Sequence, residues 1–180
     1  LIGGAVSMAA GEYISMTAQT ELLKRELEME RIELHRRPEA ERKELAQIYR
    51  SRGIDEATAD QLATALSRDP DLALETHARE ELGIDPHSLG QPVSAAISSF
   101  LTFSIGATIP LVPYFFGSGT AAMVVAIVLG VVAALTVGAL LARFTGRPMG
   151  RSALRQLLFS AVPAAITFAI GSAVGVSGIA

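Results

Sequence analysis

Cysteine is absent from the 180 residues, which excludes disulfide frameworks, thiolate metal sites and cysteine nucleophiles together and says nothing of redox compartment. Any metal must then be held by Glu, Asp, His or Met. Charge is scarce at 18% of residues, while half of the chain is apolar, a balance too greasy for an ordinary soluble domain of this size. Carboxylates are missing from long stretches: apart from Glu12, every one lies between Glu21 and Asp85. The net charge is only -3 and aromatics make up 6%, so the electrostatic footprint of nucleic-acid binding is lacking and no nucleic-acid partner is expected. Also missing are a phosphate loop, a nucleophile elbow, an H-E-x-x-H helix and a dinucleotide fingerprint; neither catalysis nor a prosthetic group is expected.

What remains reads as membrane, water, membrane, and the expected fold class is an all-α integral membrane protein. Residues 1–20 open on a small, apolar run (LIGGAVSMAAGEYISMTAQ) that at about 1.5 Å per residue nearly spans a hydrocarbon core roughly 30 Å thick. Residues 21–90 form the charged segment. Its opening, ELLKRELEMERIELHRR, places Leu23, Leu27 and Leu34 at helical spacing, so the first helix is expected to continue into water. Pro38 suits the first turn of a second helix ending before Gly53, Asp55 caps a third towards Arg68, and Asp69-Pro70 starts a fourth that Gly83 stops. Short connections favour a compact lobe, with Leu45, Ile48, Leu62, Leu66, Leu72, Leu74 and Leu82 available for its core.

Residues 91–180 hold three more uncharged runs, at about 93–116, 120–142 and 154–176, the first two joined at Gly117-Ser118-Gly119. Arg143, Arg147, Arg151 and Arg155 lie between the last two with no acid to balance them, which by the positive-inside rule marks a cytoplasmic loop. Counting crossings from that loop puts the charged lobe on the same, cytoplasmic face and Leu1 near the outer face. Because the chain starts at Leu1 inside an apolar stretch, it is expected to be cut within a longer sequence, with four membrane helices present of a five-helix parent. Ala126, Gly130, Ala134, Gly138 and Ala142 recur every fourth residue, as do Ala161, Ala165, Ala169 and Ala173, and such stripes let helices approach closely in lipid. Pro110, Pro113 and Pro163 are expected to interrupt or kink their helices.

Glu12 is the one ionisable side chain inside an apolar run, and burying it there costs on the order of 3 kcal/mol even on lenient scales. Met8, Glu12 and Met16 fall at i, i+4 and i+8, so one helix stripe offers a carboxylate between two thioethers. That mixed donor set suits Fe(II) or a similar borderline ion better than Mg or Ca. The blander reading is a carboxylate that only hydrogen-bonds across the bundle. In the lobe, Glu26, Glu30 and Glu33 share one helix face, and Glu41 with Glu44 repeats the arrangement on the next helix. Facing helices bring such carboxylates together in metal-binding bundles, whereas a solvated charged face paired with Arg31, Arg42 and Lys43 is the ordinary alternative. His77, Glu80 and Glu81 are ambiguous in the same way.

The segments SMAAGEYISMTAQTELLKRELEMERIEL, REELGID and SFLTFSIGATIPLVPYFF resemble the vacuolar iron transporter family, in the bacterial-type branch with a cytoplasmic metal-binding insert. That likeness implies a homodimer of five-helix chains in the lipid bilayer, here of a bacterial plasma membrane. It further implies export of divalent iron, with manganese as a second cargo, from the cytosol in exchange for protons. By the same resemblance Met8 and Glu12 line the translocation path, Glu30, Glu33, Glu41 and Glu44 belong to the metal-collecting domain, and Glu81, then Glu80 and His77, answer to that domain's third pair. Fe(II), Mn(II), Co(II) or Zn(II) should therefore bind the lobe. A membrane-anchored interaction or regulatory protein is the rival reading, and metal binding by the lobe carboxylates separates the two.

Overall fold

The structure is a computed structural model that describes residues 1–175. It is helical and divides into two compact units, one of Met8–Ser98 and one of Leu1–Ser7 with Ser99–Ala180. Helix α1 runs unbroken from Ile2 to Arg36, 35 residues, or about 52 Å at 1.5 Å per residue.

In the unit of Met8–Ser98, α1 is followed by α2 (Pro38–Ser51), α3 (Glu56–Leu66) and α4 (Pro70–Glu80). Local chemistry sets these boundaries. Pro38 and Pro70 occupy first turns, where a missing N–H costs nothing. The Asp55 carboxylate accepts from Thr58 N at 3.1 Å, and that of Asp69 accepts from Asp71 N and Leu72 N at 2.9 and 3.3 Å, so each satisfies amide groups the first helical turn leaves orphaned. Gly53 at φ +93° and Gly83 at φ +66° take the left-handed conformation beyond α2 and α4, which a side chain would strain.

The lobe's core consists of Leu45, Ala46 and Tyr49 of α2 against Ala59 and Ala63 of α3, with Ile54, Leu62 and Leu66 partly buried around them. Arg50 of α2 fastens α3 by bonding Asp60 at 2.8 Å and approaching Glu56 at 3.4 Å. Leu72, expected in the core, is 41% exposed; α4 instead buries Ala73, Leu74, His77 and Ala78. Ala73, Leu74, His77 and Ala78 share one face of α4, and at about 100° per residue position 72 falls on the opposite face.

Three stretches among the described residues are long and apolar enough to cross a membrane: Pro92–Phe115, whose first residues still belong to the unit of Met8–Ser98, and Gly119–Thr145 and Met149–Ala173, which belong to the other. The amino-terminal run of α1 is not among them, diluted by Glu12, Ser7, Ser15 and Thr17. The first stretch is α5 (Pro92–Thr108), tightening into a 3-10 segment over Ile109–Phe115 where Pro110 and Pro113 remove amide donors. Then come α6 (Gly119–Thr145) and α7 (Met149–Ala173).

Gly146, at φ +64°, closes α6, and α7 starts directly after Pro148. The expected arginine loop is thus only three residues long. Arg143 sits in the last turn of α6, and Arg151 and Arg155 lie on α7. The far end of the run expected to reach Val176 lies outside the described residues. Of the two small-residue stripes, that of α6 is buried at Ala126, Ala134, Gly138 and Ala142, and a Cβ on Gly138 would stand 2.6 Å from Ala153 Cα and 2.8 Å from Ser152 O. The second stripe, Ala161 to Ala173, is exposed, because α7 meets α6 through its amino-terminal turns.

Candidate metal centre

The turn at Arg37–Pro38 separates α1 from α2, and Glu30 of α1, Glu41 of α2 and His77 of α4 converge. Each offers one ligand atom, and these atoms all lie within 4.8 Å of one another. All three side chains are buried, with 5%, 5% and 0% of their surface exposed. His77 Nδ1 stands 3.1 Å from Glu30 Oε1 and 3.4 Å from Glu81 Oε2. The contact to Glu30 misses hydrogen-bond geometry and leaves Glu30 Oε1 buried without a hydrogen-bond partner; the other ring nitrogen, His77 Nε2, is separately buried without one.

Two carboxylates at such separations repel by about 4 kcal/mol at 4 Å and an effective dielectric near 20, which together with burial favours their protonated forms. Burial, then the charges of Glu30, Glu44 and Glu33, push the Glu41 carboxyl above its ordinary range, with His77 pulling the other way. Burial and the Glu30 charge raise Glu81 likewise. For His77, burial disfavours the imidazolium, but Glu30 and Glu81 outweigh it and leave the pKa raised. Such a site holds protons because it is short of positive charge, and a divalent cation relieves the same deficit more fully. Two buried carboxylates and an imidazole form a borderline donor set that fits Fe(II), Mn(II), Co(II) or Zn(II), and is poorer for Ca, which takes six to eight oxygens.

The remaining predicted residues of the lobe fall into three groups. Glu33 and Glu44 are exposed yet close enough for their charges to raise Glu41, placing them at the rim. Glu26 is exposed on α1, one turn before Glu30. Glu80 points elsewhere: its carboxylate pairs with Arg52, which also donates to the Glu80 carbonyl at 3.1 Å.

Met8, Glu12 and Met16 share one stripe of the unbroken α1, with Met8 and Glu12 exposed and Met16 half-buried. The backbone of Gly90 presses on Met16, since a Cβ there would collide with its Sδ. Thr20 supports the contact, its hydroxyl donating to Met16 O at 2.8 Å and approaching Gly90 O at 3.3 Å. Neither Thr20 nor Gly90 was singled out by sequence; a glycine ahead of Gln91-Pro92 reads as an ordinary loop residue, and only the tertiary fold shows its close packing on Met16 and Thr20.

The family model described as the VIT family matches residues 1–172. Among curated proteins, the chain is similar to the vacuolar iron transporter of Acanthamoeba castellanii, 43% identical over 111 residues that make up 62% of this chain and 42% of that protein. Vacuolar iron transporter 1 of Eucalyptus grandis is 29% identical over 126 residues, 70% of this chain and 51% of its own. For vacuolar iron transporter 1 of Arabidopsis thaliana the figures are 30% over 111 residues, 62% and 44%. The chain thus spans about two fifths to one half of the length of these relatives.

Proposed function

This chain belongs to the VIT family, and from that premise we propose that it serves the transport of divalent iron across a membrane, collecting the ion in its lobe. The observation that carries the reading is the buried Glu30–Glu41–His77 set, with polar atoms left unsatisfied on Glu30 and His77. A protein that needed only a stable lobe gains nothing from burying two carboxylates together, because the desolvation cost exceeds what their partners return.

The second part of the proposal is a route. Glu12 and Glu30 are eighteen residues apart on one helix, which is five turns at 3.6 residues per turn, so they share a face about 27 Å apart. Glu26 lies close to the same line. We take the amino-terminal half of α1 as a further membrane helix, where Met8, Glu12 and Met16 receive the ion. Carboxylate and thioether donors release it readily.

Finer points belong to the same proposal. Mn(II) fits the donor set as well as Fe(II). Proton exchange rests on the family likeness. The unbalanced arginines on α6 and α7 support a cytoplasmic lobe, and outward movement of the ion rests on that likeness. A homodimer rests on the family likeness.

Anaerobic calorimetry of the full chain in detergent with Fe(II), Mn(II) and Zn(II) tests the collecting site. Saturable binding that Glu30→Ala and His77→Ala abolish is the expected result, and binding indifferent to both overturns it. Flux into proteoliposomes, wild type against Glu12→Ala, tests the route; unchanged Fe(II) flux would remove Glu12 from it.

A further inference from the structure

The unit of Leu1–Ser7 and Ser99–Ala180 contains Arg143, Arg147, Arg151 and Arg155 and no Asp, Glu or Lys. Every ion pair among the described residues falls between positions 28 and 87, so none of these arginines has an acidic partner there. Two of them, Arg151 and Arg155, sit one turn apart at the head of a shallow, open groove of about 500 Å³ along one face of α7, which alone supplies its lining. From that charged end the groove runs over Leu154, Leu158, Phe159 and Val162 as far as Pro163. Its floor is open, with Phe159 73% exposed.

Charge and length together restrict the occupant. Pro163 lies twelve positions after Arg151, or about 18 Å along the helix, slightly more than the roughly 15 Å depth of one leaflet of a 30 Å hydrocarbon core. A soluble phosphate satisfies the guanidinium groups and leaves the apolar floor bare. An apolar helix covers the floor but makes no use of the two exposed cations. An amphiphile with one anionic head and a chain of leaflet length does both. We propose that this groove binds an anionic phospholipid from the leaflet on the arginine side, its phosphate bridging Arg151 and Arg155 and an acyl chain lying along Leu158, Phe159 and Val162 to Pro163. Guanidinium forks match phosphate oxygens in pairs, and basic pockets on membrane helices hold lipid headgroups in this way.

The test is native mass spectrometry and thermal unfolding of the full chain in detergent with phosphatidylglycerol, phosphatidylcholine or glycerol 3-phosphate added. Retention of phosphatidylglycerol with a raised Tm is expected, without either effect from the other two. Replacing both groove arginines (Arg151→Gln with Arg155→Gln) should weaken retention about tenfold or more, whereas Arg143→Gln with Arg147→Gln, off the groove, should change it less than about twofold.

Equal loss in the two double variants overturns the proposal in favour of diffuse surface attraction. Effective competition by glycerol 3-phosphate reduces the groove to a phosphate site, and equal retention of phosphatidylcholine removes the role of charge; either result also overturns the proposal. If the groove variant fails to fold in phosphatidylcholine, Phe159→Trp supplies the readout. Brominated phosphatidylglycerol should quench its fluorescence more than brominated phosphatidylcholine does, and equal quenching refutes the assignment.

Discussion

Glu30 Oε1 lies 3.1 Å from His77 Nδ1, both side chains are more than nine-tenths buried, and no hydrogen bond satisfies Glu30 Oε1 or His77 Nε2. An orphaned buried polar atom costs about 1–3 kcal/mol, and here there are two, beside the buried Glu41. A cation bound among them satisfies the orphans and screens the carboxylates from one another.

Affinity should therefore depend on these atoms individually. Glu30→Gln and His77→Gln each keep approximate size and remove charge or a ligand nitrogen, and each should weaken Mn(II) or Fe(II) binding by about tenfold or more, as loss of a metal-site residue does. Glu26→Gln, one turn away and exposed, should change it less than about twofold. Calorimetry on the three variants checks this, and similar losses in all of them would mean a diffuse acidic surface rather than a site.

The same groups set a pH dependence whose sign can be worked out. Glu41 and Glu81 are raised above 4.5 and His77 above 6.5. The stability each contributes is therefore full below those ordinary values and is lost as pH rises through the folded-state values. Asp55 and Asp85 run the other way: hydrogen bonds from Thr58 and His87 respectively lower them below 3.8, so their contribution holds above that value and is lost as pH falls. The metal-free lobe should accordingly be most stable in mild acid and soften towards and beyond neutrality. Mn(II) should reverse the softening, with a gain in Tm that shrinks as pH falls through the raised values and protons compete. Thermal unfolding between about pH 4.5 and about pH 8, with and without Mn(II), measures both trends; a metal-induced gain independent of pH contradicts them.

Much of the lobe was legible because its instructions are local. Pro38, Asp55, Asp69 and Gly83 act within a turn of their own positions, and each stands at a helix boundary in the structure. The convergence of Glu30, Glu41 and His77 is tertiary, and sequence spacing narrowed the candidates without choosing among them. Nor did it show that Glu80 turns to Arg52. The arginines illustrate the same limit: spaced every four residues, they read as one loop, yet Gly146 and Pro148 compress that loop to three residues and put Arg151 and Arg155 on a helix.

The α6 stripe yields a prediction that separates pattern from necessity. Gly130 and Gly138 hold equivalent places in the four-residue repeat, but a Cβ at Gly130 meets nothing within 4 Å, while one at Gly138 runs into the backbone at Ser152 and Ala153. Backbone does not yield as a flexible side chain does, so Gly138→Ala should destabilise the α6–α7 hairpin by about 1–3 kcal/mol. Gly130→Ala should be neutral or slightly stabilising through its better helix propensity. Unfolding in detergent distinguishes them, and equal effects would mean that α6 and α7 do not cross at Gly138.

Glu80 and Glu81 provide the sharpest comparison, since neighbours on a chain here have different partners. Glu80 closes α4, and its carboxylate pairs with Arg52 beyond the end of α2; Glu81 reaches back to His77 Nδ1. Neutralising Glu81 removes a negative charge from beside the ligand set and frees the His77 imidazole to turn, so Glu81→Gln should weaken metal binding several-fold, within the range usual for groups that orient a ligand. Neutralising Glu80 breaks an ion pair in which Arg52 is half exposed, a contact worth at most about 1 kcal/mol. Glu80→Gln should thus lower stability slightly, leave metal affinity unchanged and behave like Arg52→Ala, with the double variant no worse than either alone. Were Glu80→Gln to weaken metal binding as much as Glu81→Gln does, the centre would have to include both carboxylates, and α4 would have to turn away from Arg52 when the ion binds.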